Sequence, residues 1–501
     1  MRRLAWSFLI PIAVYLLGTI SFLSSREQFQ SFPLDDAWIH QVYARAFATG
    51  QGFEYNAGEQ EAGATSPLWV IVTSPVHWFA SGDSRGVVAG VMVVGLLFGV
   101  ISILLFWSIV RRMTDSPAVA CVAAALLALE PRLLFSSLSG METTLLFALW
   151  LGGLLAALTR RWFTSATLFA LTAITRPESL VVLPVCAIVL FASNREWPRQ
   201  RKLLTILVLG VPMVAWGLFC HATTGHWLPN TYYIKAHRFG LTQAALANAW
   251  HIVSGSGFGT LLLFPIGILV CIGCLAWRRR WLELAILVGA PVIYLAGVAG
   301  TRELSADGYY WTRWLDPASL LLTAAFSLGF ALVLSGAKMS SPPRGIATRW
   351  WGIGVMTAGA LALVLSAPRF TRSFAERRNH LRTDSRAINT MNVRAGLWIR
   401  DHTPADAIVG VNDAGAIRYF GERHTIDLLG INNQELAFSR LRLTDALLQC
   451  DWLAIFPVAF RKQADLILQE YSIATTIRVP VEEYTVCDCP LQTTIGIFKK
   501  K

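Results

Sequence analysis

Charge is scarce in this chain: 15% of its 501 residues are Asp, Glu, Lys or Arg, against about 25% in an ordinary soluble domain. Acids are the rarer sign, 31 against 43 bases, which excludes an acidic, solvating or disordered polypeptide. No Gly-rich phosphate loop and no nucleotide-sugar loop is present, which argues against a soluble nucleotide or nucleotide sugar as substrate. No internal repeat or low-complexity tract occurs. The eight cysteines make no disulfide framework: Cys121, Cys186, Cys220, Cys271 and Cys274 fall in or beside apolar runs, where cysteine is a small buried hydrophobe. Cys450, Cys487 and Cys489 fall near the C-terminus, where one bridge from Cys450 to the Cys-Asp-Cys pair is open. That pair has no matching second pair of zinc ligands after it.

What the chain has instead is apolar length. Hydrophobic residues make up 54%, with 19 Trp and a mean hydropathy of +0.50. They gather in runs at 4–22, 84–110, 117–130, 143–158, 162–175, 179–193, 203–220, 260–277, 281–299, 316–336 and 350–367. A helix needs about 20 residues to cross the hydrocarbon core. The reading is a polytopic α-helical membrane protein with about eleven transmembrane helices, and 66–80 as a further span or an interfacial helix. The first run has a basic start but no small-residue cleavage pattern, so it is kept as an anchor. Six short basic loops recur on one side: Met1–Arg3, Arg111–Met113, Arg160–Trp162, 193–202, Trp277–Trp281 and 337–349. The loops on the other side, 23–83, 131–142, 220–259 and 299–315, are longer and of mixed charge. This asymmetry predicts a cytoplasmic N-terminus and an extracytoplasmic C-terminal region. It also accounts for the net charge of +12 through topology and phospholipid contacts rather than nucleic acid.

From about residue 370 the pattern becomes that of a soluble α/β unit. A helix is predicted over 385–401, strands at 407–412 and 451–457, a helix at 461–471, and strands near 473–480 and 494–499. The predicted division is a transmembrane catalytic domain, 1–369, and an extracytoplasmic α/β domain, 370–501.

The mixed-charge loops hold the candidate chemistry. The first, FPLDDAWIHQVYARAFATG, offers Asp35, Asp36, His40, Tyr43 and Arg45; the second offers Glu142; the third Arg176 and Glu178; the fourth Asn230, Tyr232, Tyr233, Lys235 and His237; the fifth Asp307, Tyr310, Arg313 and Asp316. Ionisable groups at that depth are costly and usually functional. Each also has a plainer reading. An Asp pair begins a helix well, Arg176 snorkels to the interface, Glu142 pairs within its own turn, Tyr232 and Tyr233 belong to an aromatic belt, and His40, His226 and His237 serve as interfacial hydrogen-bonders. The recurrence of such groups in loop after loop on one side favours a shared outer-facing cavity.

Six segments in series resemble a known family: DDAWIHQVYARAFATGQGFEYNAGEQEAGATSPLW, SGMETTLLFAL, TRPESLVVLP, LPNTYYIKA, WTRWLDPASLLL and VGVNDAGAIRYFGERHTIDLLG. They look like the GT-C glycosyltransferases that use polyprenyl-phosphate sugars, most of all the terminal β-(1→2) arabinofuranosyltransferase family and its bacterial relatives. The resemblance covers nearly the whole chain. It implies a GT-C fold in a bacterial inner membrane and transfer of a sugar, arabinofuranose among the candidates, to an envelope glycan, lipid or protein hydroxyl. It implies Asp35 as general base, with Asp36 orienting substrate. A lipid-phosphate leaving group calls for Arg176, Lys235 and Arg313, and sugar hydroxyls for Glu142, Asn230, Tyr232 and His40. No cofactor is implied, a divalent cation at Asp36 or Glu142 is left open, and no metal-binding spacing is visible. Two segments depart from the family: ADGYYWTRW lacks a Gly-Gly-Asp-type pattern, which leaves the role of Asp307 open, and Ser179 stands where many relatives have Gly. Asp413, in VNDAG, faces either the active site or a turn, with turn chemistry favoured. The alternatives are a flippase of lipid-linked sugars, against which stands the lack of two hydropathically matched halves, and a non-catalytic scaffold of envelope assembly.

Overall fold

Each of the eleven apolar runs falls on a helix. In a computed structural model of the chain, the described residues are 7–23, 26–192, 194–235, 239–255, 257–302, 304, 309–336, 346–486 and 492–501, without the side chains of 26, 27 and 346–363. Among them, Ser84–Thr114, Arg199–Thr224, Trp281–Thr301 and Asp316–Ser335 are long and apolar enough to cross a membrane. Pro117–Ala128 and Pro131–Leu138 join at a 60° bend and together qualify as a broken span. Leu9–Phe22, Thr143–Leu158, Trp162–Ala173, Pro177–Ala192 and Phe264–Trp277 are shorter apolar helices. The stretch 66–80 forms two helices, Pro67–Thr73 and Pro75–Ala80, of 7 and 6 residues. Neither reaches the length of a span.

Local chemistry sets several boundaries. Asp83 accepts hydrogen bonds from the amides of Arg85 and Gly86 and so starts the helix Ser84–Thr114. Proline occupies the first turns at Pro117 and Pro131, where its missing N–H costs nothing. Small residues let helices close up: a Cβ on Gly329 would run into the backbone carbonyl of Gly267, where Asp316–Gly336 packs on Phe264–Trp277.

A buried ionic knot ties four segments together beside the broken span. Arg132 bonds Asp316 at 3.2 Å, Ser319 at 2.8 Å and the carbonyls of Ile252 and Val253, while Glu130 accepts from the amides of Arg132 and Phe258. Arg377, from the long helix Ile346–Ile388, stands 3.7 Å from the same oxygen of Asp316. The boundary expected at residue 370 lies inside that helix, which runs continuously toward the C-terminal region.

The loop after the first apolar helix adds a small antiparallel hairpin, β1 (Glu54–Asn56) with β2 (Glu59–Gln60). The C-terminal region is a five-stranded mixed sheet of β3 (Ile408–Val411), β4 (His424–Asp427), β5 (Trp452–Ile455), β6 (Tyr471–Arg478) and β7 (Thr494–Lys500), in the order β4-β3-β5-β7-β6. β3 is parallel to β4 and β5, and β7 is antiparallel to β5 and β6. Alternation divides its side chains: Val409, Val411 and Ala454 join the core shared with the helices, whereas Leu453, Ile455 and Phe498 bury against Ala446, Leu447 and Phe460. Strand β4 has no counterpart in the sequence reading. The thiol of Cys450 is buried and donates to the carbonyl of Ala446; Cys487 and Cys489 lie outside the described residues.

The sheet is seated on the loop that carries this hairpin. Tyr55 donates to the carbonyl of Ala414 at 2.7 Å, Tyr43 donates to Asn432 at 2.9 Å, and Asn56 exchanges two bonds with the backbone of Thr425.

Candidate active site

The helix Asp35–Ala48 follows directly from Leu34, whose backbone is extended, and carries both acids in its first turn, where the helix dipole favours negative charge. Consecutive residues on a helix point about 100° apart, and here that separates the two acids completely. Asp36, Ile39 and His40 face a cleft whose other walls are Thr65, Ser66, Met141, Glu142, Arg176, Pro177, Glu178, Thr231, Lys235, Arg302, Arg313, Trp314 and Ile431.

Ion pairs run round this cleft. Asp36 Oδ2 lies 2.6 Å from Nη2 of Arg313 and 3.7 Å from Nζ of Lys235. His40 Nε2 is 3.5 Å from Glu142, and Glu142 is 3.3 Å from Arg176. Arg176 reaches Glu178 at 3.6 Å, and Arg302 pairs with Glu178 at 3.0 Å. Burial alone would raise the Asp36 carboxyl, but Arg313 first and Lys235 after it hold it well below the ordinary carboxylate range. Arg313 is pinned by two rings, with its guanidinium 4.4 Å from the centre of Tyr310 and 5.5 Å from that of Trp314. Its Nε and Nη1, the same two nitrogens of Arg302, and the hydroxyl of Thr231 have no hydrogen-bond partner among the described residues. Buried donors in that condition are sites for acceptors. The described charges of the cleft are four cations against three carboxylates.

Asp35 lies elsewhere. Its carboxylate accepts from the amides of Gly415 and Ala416 at 2.7 and 2.8 Å and from Asn392 at 3.3 Å. Burial lifts its pKa to about 6 in spite of these bonds, with Asp36 adding to the rise. Asn392 also donates to Asp413 at 2.7 Å, so the VNDAG turn packs on Asp35 and Asp413 does not line the cleft. A Cβ on Gly415 would collide with the backbone carbonyl of Asp35; glycine is required by that approach.

Of the nine residues given a catalytic or binding role from the sequence, the structure brings Asp36, His40, Glu142, Arg176, Lys235 and Arg313 together, with Glu178 beside them, and leaves three aside. Asp35 anchors the C-terminal sheet. Asn230 is buried, bonding Glu61 at 2.8 Å and the carbonyl of Ile431 at 3.3 Å. Tyr232 is 44% exposed and sits edge-on to Tyr233. His237 and Asp307 lie outside the described residues. Arg302 and Thr231 line the cleft without having been singled out. Arg302 stands at the end of an apolar run, where a basic residue reads as a topology marker, and Thr231 sits within LPNTYYIKA, one position from Asn230. Among the described residues no three His, Cys, Asp or Glu side chains gather as metal ligands.

Known proteins provide a fold for this arrangement. The chain aligns over 99% of its length with 98% of ArnT from Cupriavidus metallidurans, solved bound to undecaprenyl phosphate, at 12% identity and a TM-score of 0.52. Over 93% of its length it aligns with 72% of the Archaeoglobus fulgidus oligosaccharyltransferase tethered to an acceptor peptide, at 13% identity and a TM-score of 0.56. The chain shares its fold with these two proteins. Its described residues combine four helices long and apolar enough to cross a membrane, five with the bent pair, with an α/β C-terminal region. Residues 380–491 match a family model described as a domain of unknown function (DUF8728), and no curated protein sequence matches the chain.

Proposed function

We propose that this chain is a membrane glycosyltransferase that moves a sugar from a polyprenyl-phosphate donor to an acceptor hydroxyl, with Asp36 as the general base. The observation that carries the reading is the pairing of Asp36 with Arg313 and Lys235 in a cleft that also presents unpartnered guanidinium donors. The acceptor oxygen attacks the anomeric carbon and its proton passes to Asp36, a contribution of roughly 10²–10⁴-fold. The bond from the anomeric carbon to the phosphate oxygen breaks, and the lipid phosphate leaves with the electron pair beside Arg313, Arg302 and Lys235. The single positive charge in excess among the described residues suits the single negative charge of a sugar-phosphate diester. The base expected at Asp35 is reassigned because three hydrogen bonds from Gly415, Ala416 and Asn392 occupy that carboxylate. In this reading the cleft faces the outer side, the C-terminal sheet is extracytoplasmic, and the acceptor is an envelope glycan, lipid or protein.

The test gives the full chain in nanodiscs a panel of polyprenyl-phosphate sugars, with arabinofuranose first because the sequence resemblance runs to that family, then mannose and glucose. Release of lipid phosphate is followed with a pool of envelope glycans as acceptors. Turnover of one donor that is lost in Asp36→Asn supports the reading. Turnover that survives Asp36→Asn and vanishes in a folded Asp35→Asn returns the base to Asp35, and lipid-linked sugar crossing the bilayer without transfer makes the chain a flippase.

A further inference from the structure

A carboxylate held by two cations is a weak proton acceptor, because basicity falls with pKa. Asp36 is in that condition: Arg313 and Lys235 both approach the same oxygen, Oδ2, at 2.6 and 3.7 Å. The same two cations are the ones a lipid phosphate needs. The partners differ in how firmly they are fixed. The side chain of Arg313 is 3% exposed and clasped by Tyr310 and Trp314, whereas those of Asp36 and Lys235 are 26% and 20% exposed. Arg313 therefore stays in place while its partner changes. Its Nε and Nη1 have no partner among the described residues, so a phosphate meets donors that one carboxylate leaves unengaged.

We propose that Asp36 and the phosphate of the lipid-linked donor compete for Arg313 and Lys235, and that the phosphate, by taking both cations, releases the Asp36 carboxylate for proton transfer. The inference rests on the glycosyltransferase reading above and adds an order to it: donor first, acceptor activation second. Without the donor the base stays clamped in its ion pairs with Arg313 and Lys235. With the donor seated, Asp36 regains basicity at the moment an acceptor hydroxyl can use it. Both ion pairs of Asp36 fall on Oδ2, so Oδ1 is the oxygen left to meet the acceptor.

The competition makes a prediction opposite to that of a simple binding residue. Removing the carboxylate strengthens phosphate binding, because a competitor for the same cations is gone. The experiment measures equilibrium binding of undecaprenyl phosphate, in nanodiscs at fixed ionic strength, to the full chain, to Asp36→Asn, to Asp36→Ala and to Arg313→Gln. Thermal melting verifies that each is folded. The result expected is affinity about tenfold tighter in both Asp36 variants, on the scale of one charge contact in a partly desolvated site, and weaker in Arg313→Gln. Equal or weaker binding by both Asp36 variants beside a wild type that binds overturns the proposal and leaves Asp36 a fixed counter-ion. If no form binds, the lipid-phosphate reading itself falls, and the competition with it.

Discussion

Asp35 Oδ2 accepts the amide of Gly415 at 2.7 Å, so the first turn after the first apolar helix is fastened to the C-terminal sheet's VNDAG turn. Its neighbour Asp36 points into the cleft. The two acids thus part within one helical turn: Asp35 fastens that turn to the C-terminal sheet, and Asp36 lines the cleft.

Asp35→Ala leaves the amides of Gly415 and Ala416 buried without their acceptor. Each orphaned donor costs about 1–3 kcal/mol, so a loss of roughly 2–6 kcal/mol is expected, read as a lower thermal midpoint. Per folded molecule, turnover stays within a few-fold of wild type. A loss on the roughly 10²-fold scale of a missing base would contradict the assignment of Asp35 as an anchor. Gly415→Ala gives the same loss of stability by collision with the Asp35 carbonyl.

Stability also depends on pH. Burial lifts Asp35 and Asp427 to about 6 and Asp384 to about 7, from an ordinary value of 3.8. A carboxyl with a raised folded pKa binds its proton more firmly in the folded state, so ionisation opposes folding and stability falls as pH rises from about 4 to about 7. Below that window Asp36 acts in the opposite sense, since its depressed pKa makes its protonation unfavourable to the fold. The thermal midpoint is expected to be higher near pH 5 than near pH 8. Asp384 contributes because burial raises its carboxyl in spite of the two bonds its Oδ1 accepts from Thr485, and its Oδ2 has no partner among the described residues. Asp384→Asn flattens the profile, and a midpoint rising steadily from about pH 5 to pH 8 would count against these assignments.

The apolar helices were legible because lipid demands length and hydrophobicity, and those survive in any sequence. So were β3, β5, β6 and β7, whose β-branched and aromatic runs are long enough to read. Strand β4 was not: HTID has four residues, two of them polar or charged at its ends, and it exists because β3 offers a parallel edge. The convergence of Asp36, Glu142, Arg176, Lys235 and Arg313 on one cleft was legible as recurrence of charge in alternate loops between the apolar runs. Which of two adjacent acids enters the cleft was not, since one residue of helical rotation decides it and only the partners, Gly415 or Arg313, reveal the phase. Asn230 stands beside the cleft, where its amide donates to Glu61 and to the Ile431 carbonyl.

The knot around Arg132 is expected to be essential to folding rather than to chemistry. Arg132→Met keeps volume but leaves Asp316 with Arg377 as its remaining cation and frees the carbonyls of Ile252 and Val253. Breaking one partner of a buried pair costs about 3–5 kcal/mol. The measurement is the yield of monodisperse protein in detergent and its melting temperature. Retention of both at wild-type levels would show the knot to be dispensable.

Arg313 provides the sharpest test of the cleft. Its guanidinium gives one nitrogen to Asp36, lies over Tyr310 and Trp314, and keeps two nitrogens free of partners among the described residues. A charge-assisted bond to phosphate contributes about 1.5–3 kcal/mol, so Arg313→Gln is expected to raise KM for the lipid-linked donor roughly ten- to hundredfold. Arg313→Lys restores the charge but not the planar fork or the ring contacts, so it falls between the two. Arg302→Gln, with Arg302 already paired to Glu178 at 3.0 Å, has the smaller effect. The order wild type, Lys, Gln in donor KM, measured at constant salt, identifies a phosphate held by shape as well as charge. Equal effects of Lys and Gln would mean that the fork and its stacking carry the binding, and no effect of either would remove Arg313 from the donor site.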